Sequence, residues 1–251
     1  MTKATIALES AASGSALVLC RDAGTRQLIV ESLQPFAIRP EICGDGLIAA
    51  SLLDKQKFEA VIVDLLLGEE ALLVLRQLRF ARANRTAVTF AITKGSGAED
   101  SARPDSTFVL SRPLSPASIN QTLRAAFGLV VRERRRYFRC PLAIPAFLRI
   151  REPDDMLCQT VNISEGGLAI EASATLDSDC DALVRFTLPD RPNQLFAETK
   201  VVWRGHGGLV GLQFQFLAPP QKSELQEWLA RKLDETLPPN VSALFRGVGQ
   251  S

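Results

Sequence analysis

From Ser15 to about Phe127 the chain alternates short apolar runs with longer segments of helical period. "ALVLC" precedes a segment that sets Leu28, Ile29, Leu33 and Phe36 on one face. "AVIVD" precedes "EEALLVLRQLRFARA", and "AVTFAIT" and "TFVLS" follow. Uniformly apolar strands separated by amphipathic helices predict a parallel sheet covered on both faces. A Ser-Pro pair opens "SPASINQTLRAAFGLVVRERRR", the expected last helix, which runs on toward a cluster of arginines.

Beyond Cys140 the period changes to two. Apolar positions alternate through "AIPAFLRI", "LCQTVNI", "LVRFTLP" and "LVGLQFQF", with turn residues between them. Short antiparallel strands of this kind close best as a small barrel, which removes exposed edges. After Pro219 and Pro220, Leu225, Trp228, Leu229 and Leu233 fall at helical spacing and predict a closing helix packed on the barrel. The expected division is a flexible N-terminus over 1–14, an α/β domain over 15–130 and an arginine-rich linker over 131–140. A barrel with its helix over 141–237 and a loose tail over 238–251 complete it.

The 251 residues carry a formal net charge of +1 and are 46% hydrophobic, which favours folded cores over disorder. No apolar run reaches the roughly 18 residues of a membrane span and the N-terminus lacks the order of a secretion signal, so a cytoplasmic protein without a membrane partner is expected. Cys20, Cys43, Cys140, Cys158 and Cys180 form no close pair, which argues against a disulfide framework or a zinc site. The single histidine, His206, lies in a Gly-rich turn with no partner for catalysis. No nucleophile-base pair, metal-ligand spacing or phosphate loop is found, so neither an enzyme nor a bound cofactor is expected.

The charge is nevertheless concentrated. "RERRRYFR" places five arginines in eight positions, Arg132 to Arg139. Downstream, "TVNISEGGLAI" sets Asn162 and Ser164 beside Gly166 and Gly167, pairing polar side chains with glycines that let a ligand approach the backbone. Together the two segments resemble the paired signature of PilZ domains: Arg135 and Arg139 spaced by four, then Asn162, Ser164 and Gly167, with Arg134 matching a frequent doubled arginine. Trp203 and "GLQF" resemble the closing strands. The resemblance covers about Arg132 to Ala218 and implies a six-stranded barrel with a C-terminal helix that binds cyclic di-GMP. On that footing Arg134, Arg135 and Arg139 would meet phosphate and guanine, Asn162 and Ser164 the other guanine edge, and Gly166 and Gly167 would keep the floor open. Guanidinium suits the task because it is planar, permanently charged and forked. Arg132 and Arg136 are expected to face water, and Tyr137 and Phe138 to plug the barrel.

The first half resembles the receiver domain of response regulators over roughly Ser15 to Phe127, which implies a flavodoxin-like five-stranded parallel sheet. Asp64, ending "VIVD", stands at the phosphoacceptor position, Thr93 at the hydroxyl switch position, and "SRP" (Ser111 to Pro113) where lysine-proline is usual. Where the family carries adjacent acidic residues for magnesium, this chain has Cys20 and Arg21, with Asp22 alone nearby. Aspartyl phosphorylation needs the cation, so Asp64 is expected to be inactive and ion-paired with Arg112. The resulting expectation is a non-enzymatic signalling adaptor that binds cyclic di-GMP. Its receiver-like domain would serve dimerisation or docking of a protein partner. The alternative is a phosphorylation-controlled response regulator with a nucleic-acid- or protein-binding output. With one basic cluster recognised, no helix-turn-helix pattern and near-zero net charge, a nucleic-acid partner is not expected.

Overall fold

A strand with an almost continuous apolar run belongs in a sheet buried on both faces, and the computed structural model places β3 (Ala60–Asp64) and β4 (Val88–Thr93) there, with all their residues buried. The structure describes residues 14–95, 107–150, 155–172 and 177–237. Of the expected loose ends at 1–14 and 238–251, all but Gly14, which opens the first strand, lie outside the described residues. The chain divides into two compact units, with the boundary between Arg134 and Arg135.

In the first unit, β1 (Gly14–Leu19), β2 (Ile38–Cys43), β3, β4 and β5 (Thr107–Ser111) form a parallel sheet in the order β2-β1-β3-β4-β5. This is the flavodoxin-like order expected, with its reversal between β1 and β3, where such folds place their sites. Helices α1 (Ala23–Leu33), α2 (Gly46–Lys55), α3 (Glu69–Phe80) and α4 (Pro116–Tyr137) accompany it. Asp22 caps α1 by accepting from Thr25 N at 2.7 Å, and Asp45 caps α2 by accepting from Leu47 N and Ile48 N. Strand β2 carries Pro40 and Glu41 and is tolerated because it lies at the sheet edge.

The segment expected as a linker over 131–140 is helical as far as Tyr137. The buried stripe of α4, Ile119, Leu123, Ala126, Phe127, Val130 and Val131, continues into Glu133 and Arg134. Glu133 accepts from Lys57 Nζ at 3.0 Å and from Thr86 Oγ1 at 2.9 Å. These partners let the helix keep polar residues on its inner face instead of ending at Val131.

The second unit is the expected six-stranded barrel. Strands β7 (Pro145–Arg149), β8 (Asp155–Ser164), β9 (Gly167–Glu171), β10 (Asp181–Thr187), β11 (Gln194–Arg204) and β12 (Leu209–Leu217) pair in the ring β8-β7-β10-β11-β12-β9, and β9 returns to β8. A two-residue strand, β6 (Cys140–Pro141), adds to β8. Inward positions such as Leu148, Ile163, Ile170, Val184, Phe186, Leu195, Val201 and Leu212 are all but inaccessible. Helix α5 (Pro219–Thr236) buries Leu225, Trp228, Leu229 and Leu233, and Trp228 Nε1 donates to Pro189 O at 3.1 Å.

Trp228→Ala removes the largest fully buried side chain and orphans the Pro189 carbonyl. The expected loss is roughly 3–5 kcal/mol of stability, read as a lower urea midpoint by circular dichroism.

Candidate ligand-binding site

The short strand β6 decides where the arginine segment lies. Cys140 pairs with Ile163 and Pro141 with Asn162, so the next antiparallel position sets Arg139 opposite Ser164. Cys140 and Ile163 both point into the barrel. By alternation Arg139 and Pro141 therefore share the outer face with Ser164 and Asn162. Arg139 is exposed and Arg135 partly so, with Arg135 Nε buried and without a hydrogen-bond partner. Asn162 Oδ1 is likewise a buried acceptor without a partner. An unfilled donor and an unfilled acceptor in one small unit are costly unless something supplies the missing bonds.

The turn after β8 is built for openness. Ser164 Oγ donates to Gly167 O at 3.0 Å, closing the turn and leaving the hydroxyl oxygen able to accept. A side chain at Gly166 would meet nothing within 4 Å, so its backbone faces open space. Gly167 serves packing: a Cβ there would run into the Leu212 carbonyl of β12. Gln226 on α5 draws the Glu165 carboxylate aside with a 3.2 Å hydrogen bond.

Arg134 departs from the expected ligand-facing role. It is 3% exposed within the first unit, donates from Nη2 to Ala37 O at 3.2 Å, and fills the space that Gly14 leaves by lacking a Cβ. Burial lowers its pKa to about 10, so it stays charged at neutral pH. Arg132 and Arg136 are exposed as expected, and Arg136 lies 5.8 Å from the Tyr137 ring centre. Phe138 is buried, as expected of a plug, whereas Tyr137 is only partly so.

In the first unit, Asp64 is 3% exposed and accepts from Arg112 Nη2 at 2.7 Å, the ion pair expected from sequence. Its other contacts are the Leu66 N–H at 3.2 Å and the Cys20 thiol at 3.6 Å. Burial and then the Asp64 charge push the Cys20 thiol up to about 11. Arg112 Nη1 also donates to Thr25 Oγ1 at 2.9 Å. Arg21 turns away to a forked pair with Glu70 at 2.7 and 2.9 Å, and Asp22 is occupied at its helix cap. Thr93 Oγ1 donates to Gly95 O at 3.1 Å. Among the described residues no group of three or more His, Cys, Asp or Glu is placed to hold a metal ion.

Comparison with known families matches residues 133–231 to the PilZ domain. The chain carries a PilZ domain. Among solved structures, the first unit is similar to the receiver domain of a sensor histidine kinase from Pseudomonas aeruginosa, at 19% identity over 46% of this chain and 98% of that one, TM-score 0.40. The PilZ domain is similar to that of a CeSA protein from a cellulose-synthesizing bacterium, at 18% identity over 36% and 93%, TM-score 0.31. It is also similar to an inhibitor of motility from Bacillus subtilis, at 17% identity over 38% and 48%, TM-score 0.34. No curated protein matches the chain.

The PilZ surface holds one residue that sequence reasoning read only as part of a strand. The register runs Pro141–Asn162–Ala169–Gly211–Trp203 across β6, β8, β9, β12 and β11. The Trp203 indole lies over Gly211, where a Cβ would collide with it, yet remains 45% exposed. The row thus sets a half-exposed aromatic ring in line with Asn162, separated from it by the small residues Ala169 and Gly211. The legible signal was the pair of small outward residues, Ala169 and Gly211, next to a tryptophan.

Two arginine substitutions separate structural from surface pairing in the receiver-like unit. Arg112→Ala strands the nearly inaccessible Asp64 carboxylate and is expected to cost roughly 2–3 kcal/mol, somewhat below a fully buried pair. Arg21→Ala opens an exposed pair and is expected to cost less than about 1 kcal/mol, both by urea denaturation.

Proposed function

We propose that the protein is a non-enzymatic signalling adaptor whose PilZ domain binds cyclic di-GMP, while its receiver-like domain works without phosphorylation in dimerisation or partner docking. The observation that carries the reading is the β6–β8 pairing, which brings Arg139 onto the same outer face as Asn162 and Ser164. That face combines the groups a cyclic purine dinucleotide needs. Arg135 and Arg139 supply forked, charged donors for phosphate and for the guanine O6/N7 edge. Asn162 Oδ1 and the Ser164 hydroxyl oxygen supply acceptors for guanine N–H groups, and Asn162 Oδ1 has none of its own. Gly166 leaves room for the ring, and Trp203 offers a face to stack on. Arg134 contributes to the scaffold instead.

For the receiver-like domain, support comes from Arg112. Its guanidinium already neutralises Asp64, at the position where phosphoryl transfer would need a divalent cation. The nearby carboxylates of Asp22 and Glu70 are engaged by a helix cap and by Arg21. An incoming phosphoryl group would have to break the Arg112 pair without a metal to replace its charge.

Calorimetry with cyclic di-GMP is expected to show Arg135→Ala and Arg139→Ala each weakening binding by at least about tenfold, or ~1.4 kcal/mol. Arg134→Ala should instead lower the melting temperature of the receiver-like domain and leave binding within about threefold of the wild type, under ~0.7 kcal/mol. Unchanged binding in both the Arg135 and Arg139 variants removes the assignment. Incubation with acetyl phosphate and magnesium is expected to leave Asp64 unlabelled, and near-stoichiometric labelling would overturn the second half of the proposal.

A further inference from the structure

The arginine run before the barrel is not the protein's sole concentration of positive charge. Between Glu70 and Glu99 the sequence contains no carboxylate, but "RQLRFARANR" carries Arg76, Arg79, Arg82 and Arg85. All four are exposed, and among the described residues none of their side chains has a hydrogen bond or ion pair. Phe80 stands among them 81% exposed, the barest large apolar side chain in the described structure. It lies one helical turn after Arg76 on α3 and is followed directly by the turn bearing Arg82 and Arg85.

The turn is held firmly. Asn84, 0% exposed, accepts from Phe58 N at 2.8 Å and donates to Leu53 O and Gln56 O, both at 2.7 Å. Arg85 N and Ala81 O close the turn at 2.9 Å. Phe80 is therefore kept in water by an anchored backbone, flanked by guanidiniums on both sides in sequence.

We propose that this end of α3 is a peripheral docking surface for an anionic lipid bilayer, with Phe80 entering the interface and the four arginines binding headgroup phosphates. A spanning segment is not needed for such contact, so the absence of one from the apolar pattern does not bear on it. The guanidiniums match phosphate in charge and fork geometry, and among the described residues none of the four is paired with a carboxylate: Asp54, which reaches this stretch of α3, accepts from Gln77 Nε2 at 2.7 Å instead. A ring this exposed is free to enter an apolar interface. A single-stranded nucleic acid would call for a groove that follows its backbone beside the ring, which so bare a side chain does not line.

The test uses the full chain in sedimentation with phosphatidylcholine vesicles, with or without about one-third phosphatidylglycerol. Binding to the anionic vesicles alone is expected, diminishing as salt rises. Phe80→Ala and the pair Arg79→Gln/Arg82→Gln should each weaken it by at least about fivefold, with unchanged melting temperature and cyclic di-GMP affinity. No binding to anionic vesicles, equal binding to neutral ones, or variants that bind like the wild type would overturn the proposal. So would a single-stranded oligonucleotide that binds more tightly than the vesicles and depends on Phe80. Neither result would touch the cyclic di-GMP reading, which rests on other residues.

Discussion

Two paired residues, Cys140 and Pro141, fix the relation between the two halves of the candidate site. The arginines and the Asn-Ser-Gly turn are far apart in sequence, and nothing in either segment alone would hold them together. The pleat supplies the missing information: Cys140 turns inward against Ile163, and Arg139 must then face outward with Ser164. The segment that follows is pinned by a buried hydroxyl. Thr160 Oγ1 donates to Leu142 O and accepts from Ile144 N, while Leu142 N donates to Val161 O at 3.0 Å. Hydrophobic burial of Cys140 and backbone pairing thus aim a charged side chain that makes no ion pair among the described residues.

The same chemical group meets four different environments in this chain, and the environment sets its work. Arg112 is held between Asp64 and Thr25, where the partner charge offsets its partial desolvation. Arg134 is buried against a backbone carbonyl, and Ala37, whose φ of 50° is uncommon for a residue with a Cβ, directs that carbonyl toward it. Arg139 is exposed on the outer face opposite Ser164, and Arg135 is half-buried. Arg76 and Arg79 on α3, and Arg82 and Arg85 on the anchored turn after it, stand in water. Charge counted along the sequence could not tell these apart.

Most of the fold was legible because its strands carry strong periods. The apolar runs of β1, β3 and β4 and the alternating β7, β8, β10 and β12 announce themselves, and the α5 stripe falls where its spacing says. What escaped did so for physical reasons. Strand β2 hides behind Pro40 and Glu41, which an edge strand can afford. Strand β11 places Ala197 and the polar Thr199 between its inward Leu195 and Val201, and the Thr199 hydroxyl is satisfied by Ala182 O at 2.8 Å. Trp203 became visible once the register laid it over Gly211. The end of α4 was hidden because Glu133 and Arg134 look like solvent-facing residues until Lys57, Thr86 and the Ala37 carbonyl are in place.

The adjacency of Arg134 and Arg135 bears on how much affinity the arginine run can deliver. Consecutive helical residues point about 100° apart, so the two guanidiniums cannot share one direction while the helix persists. Arg134 belongs to the first compact unit and Arg135 to the second. A ligand that engaged Arg134 as well would have to withdraw it from Ala37 O and leave the space beside Gly14 unfilled. Losing that charge-assisted bond costs about 1.5–3 kcal/mol, comparable with what one new phosphate contact returns. Of the doubled arginine in the sequence, Arg134 is therefore taken up by packing within the first unit, and on the proposed reading Arg135 alone is left for the ligand.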